Sequence, residues 1–329
     1  MAERGSGIPV VVAGLGHVGR AIAKAVLSSP DLRLVGAVDP ASAGKSLGDV
    51  LGQAGAPLVV AADPTRAFAS AKGGVLLQAT SSFLGEVLPQ VEQAVKAGLS
   101  VASTCEELAY PWLAHEEDAD ALDALCERHD VAVVATGVNP GFALDRLPAL
   151  LSQATGPVRH LDAVRVVDLS PRREALHRKT GVGLSPEQFH KALEADELGH
   201  VGLAESAALA ALGSGLELDE VEDDVEPVLA ARDLPGPAAV AKGRVAGVKQ
   251  VARGWADGRE VVRLELVLAV GAEDPRDEVR IDADPPLHLV VQGGIPGEAA
   301  TAWAMVHAAR ALPMLRGLVT ILDLPSGRS

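Results

Sequence analysis

The chain has 329 residues, of which 48% are hydrophobic but only 2% aromatic, and a formal net charge of −15. That length suits two domains, whose cores must be packed mostly from Ala, Val and Leu. The acidity argues against nucleic acid or an anionic membrane surface as a partner, and no apolar run reaches the ~18 residues of a membrane span.

The opening segment MAERGSG has neither the apolar stretch nor the cleavage site of a signal peptide. Cys105 and Cys126 are the only cysteines. They have no metal-ligand spacing and form no disulfide framework, which predicts a reducing, cytoplasmic setting and no metal. After this opening, Val10–Ala13 reads as a strand, and Gly14, Gly16 and Gly19 fit G-x-G-x-x-G. A helix follows, then LRLVGAV as a second strand ending at Asp39. The acid stands about 20 residues beyond the last glycine, as a dinucleotide fold requires. Gly14 permits the tight turn, Gly16 lets the backbone approach a pyrophosphate, and Gly19 lets the helix pack on the strand. The backbone of Gly14, Gly16, His17, Val18 and Gly19 then offers free N–H groups and a favourable helix dipole to the phosphates. Asp39 should bind the adenosine ribose and favour NAD. Lys45 softens that discrimination, so NADP is tolerated.

Apolar runs at Pro9–Ala13, Leu34–Val38, Leu58–Ala61, Val75–Ala79, Leu99–Ala102 and Val131–Ala135 have the length of buried parallel strands. Leu84, Val87, Leu88, Val91 and Val95 recur at helical spacing, and Leu122, Leu125 and Cys126 continue the theme. This βαβ alternation predicts an α/β, doubly wound parallel sheet of Rossmann type over residues 1–141, with its ligand beyond the carboxyl ends of the strands. Thr80 and Ser81 follow one strand, where a hydroxyl contacts cofactor or caps the next helix. Glu106 and Glu107 follow the next. A partly desolvated carboxylate there moves protons near neutral pH, while two acids also simply begin a helix well. On spacing alone both readings stand. Asn139, Pro140, Gly141 and Phe142 form a rigid turn at the last strand end, either orienting a ligand or only leaving the domain.

Beyond Gly141 the pattern becomes period-two: Ala163, Arg165, Val167 and Leu169, then Val262, Leu264, Leu266, Leu268 and Val270, with Asp257-Gly258 as a hairpin signal. Residues 142–300 therefore read as an α+β domain on an antiparallel sheet. The acidic runs Glu116–Asp118 and Glu217–Glu226 read as solvated helix faces or loops, and 213–237 as partly a connection. Residues 301–329 carry the rest of a helix begun at Gly297, with Trp303 and Met305 in core or interface. A short strand at 318–322 follows, and this tail is expected to pack back on the first domain. Arg165, Arg172, Arg173, His177, Arg178 and Lys179 are basic groups for a carboxylate, a cofactor or an interface. His288 is either a core or a pocket histidine.

The segments STCEEL, GVNPGFALDRLP, PRREALHRKTGVGLSPEQF, HVGLAESAAL and GGIPGEAATAWAMV together resemble the 2,4-diaminopentanoate dehydrogenases. That family includes native amine dehydrogenases, and its nucleotide domain is similar to that of dihydrodipicolinate reductase. The resemblance spans nearly the whole chain. It implies a homodimer that interconverts a primary amine with a ketone or aldehyde plus ammonia, using NAD(P). It places the acid/base at Glu106 rather than Glu107, and has Asn139, Phe142, Arg165 and Thr180 lining or supporting the pocket; His177 and His288 are further pocket candidates on the residues alone. The His-His-x-x-Lys segment of dihydrodipicolinate reductase is absent, which argues against that enzyme's cyclic substrate. The alternatives are 2,4-diaminopentanoate dehydrogenase activity in the strict sense, and a non-catalytic protein that senses NAD(P).

Overall fold

The structure is a computed structural model that describes residues 7–53, 58–172, 174–195 and 198–327. The chain divides into two units, one formed by Met1–Phe142 with Pro296–Ser329 and the other by Ala143–Ile295. Arg173, one of the basic residues singled out above, lies outside the described residues.

The first unit runs β1 (Ile8–Ala13), α1 (His17–Leu27), β2 (Leu32–Val38), α2 (Leu47–Leu51), α3 (Thr65–Ala69), β3 (Val75–Gln78), α4 (Leu84–Lys96), β4 (Ser100–Ser103), α5 (Glu116–His129) and β5 (Ala132–Ala135). Every residue of β3, β4 and β5 is buried. That is why these runs are apolar throughout rather than alternating: helices cover both faces of a parallel sheet. On α4 the buried residues Leu84, Val87, Val91 and Val95 follow the helical period.

One expected strand does not form. Leu58–Ala61 makes only single bridges, Ala61 to Val38 and Val59 to Ser46. Val59 is 66% exposed while Val60 is buried, so the run packs by one side only, as an irregular segment rather than an interior strand.

The second unit contains α6 (Arg146–Ser152), β6 (His160–Asp168), α7 (Glu174–Lys179), α8 (Pro186–Glu194), α9 (Leu203–Gly213), β7 (Glu220–Leu229), β8 (Val245–Ala256), β9 (Arg259–Ala269), β10 (Arg276–Asp282) and β11 (Leu287–Gln292). Its sheet has the order β11-β10-β6-β9-β8-β7. The sheet is mixed rather than purely antiparallel, because β6 and β9 pair in parallel. The chain between them passes through three helices and two strands, ample for the crossover a parallel pair needs. Asp257 and Gly258 have φ of 50° and 69° and close the β8–β9 hairpin with the paired positive φ of a type I′ turn. One face of the sheet, with Leu161, Ala163, Val248, Ala252, Val262, Leu264 and Val279, packs with Leu203, Ala207 and Ala210 of α9 and Phe189 of α8.

The acidic run at 217–226 is mostly strand, not a helix face or loop. Val221 and Val225 of β7 pack toward the core while the acids stay largely exposed. Charges of that kind blunt an edge strand.

The chain then returns to the first unit with α10 (Gly297–Ala311) and β12 (Gly317–Leu318). β12 pairs with β5, giving the parallel order β12-β5-β4-β3-β1-β2. It stops after two residues because Thr320 turns the chain, its N–H and hydroxyl both donating to Asp323 Oδ2 at 2.8 Å. Met305 is buried in α10, whereas Trp303 is 45% exposed.

Candidate active site

β1 has β2 on one side and β3 on the other, so the strand order reverses at β1. Ligands of open α/β sheets bind beyond the carboxyl ends at such a point. Gly14 stands there with φ 82°, and a Cβ on it would lie 2.3 Å from the Ala79 carbonyl oxygen. A Cβ on Gly19 would lie 1.7 Å from the Gly14 carbonyl oxygen, so α1 lies directly on the glycine turn. Gly16 differs: a Cβ there would meet nothing within 4 Å.

Gly16 is also the N-cap of α1, and it provides no side-chain hydrogen bond to the first N–H groups. Val18 sits in that first turn, and His17 opens it with Nε2 2.6 Å from Glu298 Oε2 of α10. Asp39, at the end of β2, accepts from Leu15 N–H at 2.7 Å through Oδ2 and from Ser42 N–H at 2.9 Å through Oδ1. A carboxylate has about four acceptor sites, so Asp39 braces the glycine turn and retains capacity for a ribose hydroxyl. Lys45 is exposed beyond it. The open cradle at Gly16, the helix start without a side-chain cap and the acid beside the turn fit a nicotinamide dinucleotide.

The turns after β3, β4 and β5 complete the edge. Thr80 lies beside Gly14, where a Cβ would come 3.0 Å from Thr80 Cγ2. Ser81 is committed to the start of α4: its hydroxyl donates to Glu86 and accepts from Phe83 N–H at 3.3 Å. Glu107 is also bound to α4, with Oε2 accepting from Leu84 N–H at 2.6 Å and lying 3.5 Å from His115 Nε2. Glu106 is half-buried on the same turn. Cys105 is 1% exposed, and burial pushes its thiol up to about 12, so it is a packing group rather than a thiolate. Asn139 is half-buried and Phe142 exposed on the turn after β5. Thr301 of α10 holds that turn by accepting from Val138 N–H at 3.1 Å.

The second unit gives its expected site residues local partners. Arg165 is buried, with Nη1 donating to both oxygens of Asp277 at 2.6 and 2.7 Å and Nη2 to the Ile295 carbonyl at 2.8 Å. Thr180 is buried and its hydroxyl donates to the Leu176 carbonyl at 2.9 Å. His177 Nε2 lies 2.8 Å from the Leu169 carbonyl oxygen, and Arg178 pairs with Glu174 on its own helix. His288 is not in the core. It lies exposed on edge strand β11, 2.8 Å from Glu278.

Two contributions escaped the sequence reading. Glu298 and Thr301 reach the cofactor edge from the C-terminal helix, which only the GEAAT start of α10 could have hinted at. The capping of α4 by Glu107 joins positions 23 apart and leaves no local pattern.

Residues 142–329 match the family model described as the 2,4-diaminopentanoate dehydrogenase C-terminal domain. The chain is 29% identical over 336 residues to the 2,4-diaminopentanoate dehydrogenase of Acetoanaerobium sticklandii, covering 98% of this chain and 94% of the relative. It is 27% identical over 227 residues to an amine dehydrogenase of Streptomyces virginiae, covering 66% and 62%. The solved structure of an amine dehydrogenase from Mycobacterium smegmatis shares the fold, with a TM-score of 0.86 at 22% identity over 99% of this chain and 98% of that one.

Proposed function

The chain belongs to the 2,4-diaminopentanoate dehydrogenase family and is an NAD(P)-dependent dehydrogenase, and from that premise we propose that it is an amine dehydrogenase with Glu106 as its acid/base. The reaction is reductive amination of a small, mostly aliphatic ketone or aldehyde with ammonia, and its reverse. When bound, the dinucleotide supplies the hydride acceptor or donor. The backbone from Gly14 to Gly19 would hold its phosphates and Asp39 its adenosine ribose, which favours NAD while tolerating NADP. Thr80, Ser81 and Asn139 stand at the strand ends toward which the rest of the cofactor would extend.

The proton work falls to a carboxylate. In the amination direction Glu106 takes a proton from ammonium to free the attacking ammonia, relays one proton from nitrogen to the former carbonyl oxygen and then one more to the carbinolamine hydroxyl, which leaves as water. The resulting substrate cation is stabilised by the same carboxylate. In reverse, Glu106 deprotonates the attacking water. The observation that supports this assignment is positional: both glutamates stand half-buried on the turn after β4, at the carboxyl edge of the parallel sheet, and the Glu107 carboxylate is bound to Leu84 N–H.

A homodimer belongs to the same proposal. On the sheet of the second unit, the face opposite the core carries Val164 and Val267 among charged neighbours such as Lys249, Glu265 and Glu278, a mixed surface that a second copy would cover.

The test is Glu106→Gln, assayed with NADH, ammonia and a panel of plain ketones and aldehydes, and in the reverse direction with NAD+ and a panel of simple amines and diamino acids. Turnover should fall by about 10²-fold or more while the NADH dissociation constant stays unchanged. A fully active variant moves the proton transfer elsewhere. Wild-type activity confined to diamino acids selects the strict activity of the family's name, and no activity on any carbonyl favours a cofactor-sensing protein.

A further inference from the structure

The start of α4 lacks what its sequence should provide. Its N-cap is Phe83, in extended conformation, with no side-chain hydrogen bond to the first turn. An N-cap is ordinarily Ser, Thr, Asp or Asn because the first N–H groups need acceptors. Here an acceptor comes from 23 residues away, as Glu107 Oε2 takes the Leu84 N–H at 2.6 Å. Charge and dipole agree, since an anion is favoured at a helix N-terminus.

The same two turns are tied twice more. Glu107 N–H donates to the Ser82 carbonyl at 3.3 Å, and the Cys105 thiol donates to that carbonyl at 3.2 Å. Cys105 is itself held by its N–H donating to Ser103 Oγ at 3.1 Å. Glu106 is thus the residue between two anchored neighbours.

We propose that Glu107 is a positioning residue, whose carboxylate clamps the turn after β4 to the start of α4 and so fixes where Glu106 stands. This rests on the reading of Glu106 as the acid/base. It assigns different work to two adjacent glutamates: one moves protons, the other immobilises its neighbour. Positioning of this kind has large leverage, because a displacement of about 1 Å can cost about 10²-fold in rate. The clamp also joins the Thr80–Ser82 turn to the acid turn, so two of the cofactor-edge turns move as one body.

The experiment compares E107Q, E107A and E107D with E106Q. Gln keeps an acceptor at the same reach, Ala removes it, and Asp keeps the charge but falls short of Leu84. E107A and E107D should lose kcat by about tenfold to a hundredfold, with KM and the NADH dissociation constant nearly unchanged. E107Q should stay close to wild type, unlike E106Q. Amide hydrogen exchange in segments 80–86 and 103–109, measured without substrate, should accelerate together in E107A and E107D and be restored in E107Q.

An E107Q enzyme as inactive as E106Q would put the proton transfer on Glu107 and overturn the proposal. So would wild-type kcat and wild-type exchange in E107A and E107D. Should E107A fail to fold, E107D and E107Q decide the matter. If the wild type turns over no amine or carbonyl, the amine dehydrogenase reading falls, while the exchange comparison still decides the clamp by itself.

Discussion

A methyl group added at Gly16 would meet nothing within 4 Å, whereas one at Gly19 would be driven to 1.7 Å from the Gly14 carbonyl oxygen. Two glycines of one fingerprint therefore answer to different demands, one set by a ligand and one by packing. Gly16→Ala should leave the melting temperature unchanged and weaken NADH binding, because the methyl fills the space at the start of α1 where a pyrophosphate would approach. Gly19→Ala should destabilise the protein by about 1–3 kcal/mol, the usual cost of overpacking a tight contact, since its clash is with backbone that cannot rotate away. Thermal melts and NADH titrations on both variants separate the two effects. Unaltered NADH affinity in Gly16→Ala would remove the phosphates from that cradle.

Between elements, the buried pair of Arg165 and Asp277 does similar double duty. It joins β6 to β10, while Asp277 Oδ2 also accepts from Ile295 N–H at 2.6 Å and Arg165 donates to the Ile295 carbonyl. The guanidinium thus secures the end of the second unit. Arg165→Met should destabilise by about 3–5 kcal/mol, because it strands a buried carboxylate. Adding Asp277→Leu should recover part of the loss, and chemical denaturation of the single and double variants measures it. A variant with wild-type stability and only a raised KM would instead make Arg165 a substrate ligand. The same element scale shows what local sequence could carry. Runs such as Val75–Gln78 and the spacing of Leu84, Val87, Val91 and Val95 revealed strand and helix because their burial is uniform or periodic. Val221 and Val225 did not reveal β7, since a separation of four suits a helix face and a strand face equally. The parallel pairing of β6 with β9 was invisible for another reason: alternation tells which face is buried but not which strand lies alongside. The site followed the same rule. The glycine turn and Asp39 were legible as a motif, whereas the hold of Glu107 on an N–H 23 residues away leaves no local pattern.

At the scale of the whole chain, the first unit is assembled from both ends of the sequence. The polypeptide leaves it after Phe142 and re-enters at Pro296. The family model at 142–329 therefore spans all of the second unit together with a part of the first. The returning segment is not an appendage. Met305, Val306, Ala308 and Ala309 of α10 are buried, α10 packs on α1, and β12 extends the sheet alongside β5. Its Glu298 meets His17 at the glycine turn and its Thr301 holds the turn after β5, so the returning helix braces two sides of the cofactor edge. A chain ending at Ile295 would uncover the side of α1 on which α10 packs and release both braces. It should aggregate and lose NADH binding. Residues 1–142 joined by a flexible linker to 296–329 should remain folded and bind NADH without the second unit, since that piece contains every side chain assigned here to the cofactor. Light scattering and NADH fluorescence titration of the two pieces test this. NADH affinity equal to that of the full chain in the piece lacking 296–329 would show that the returning segment does not complete the nucleotide unit.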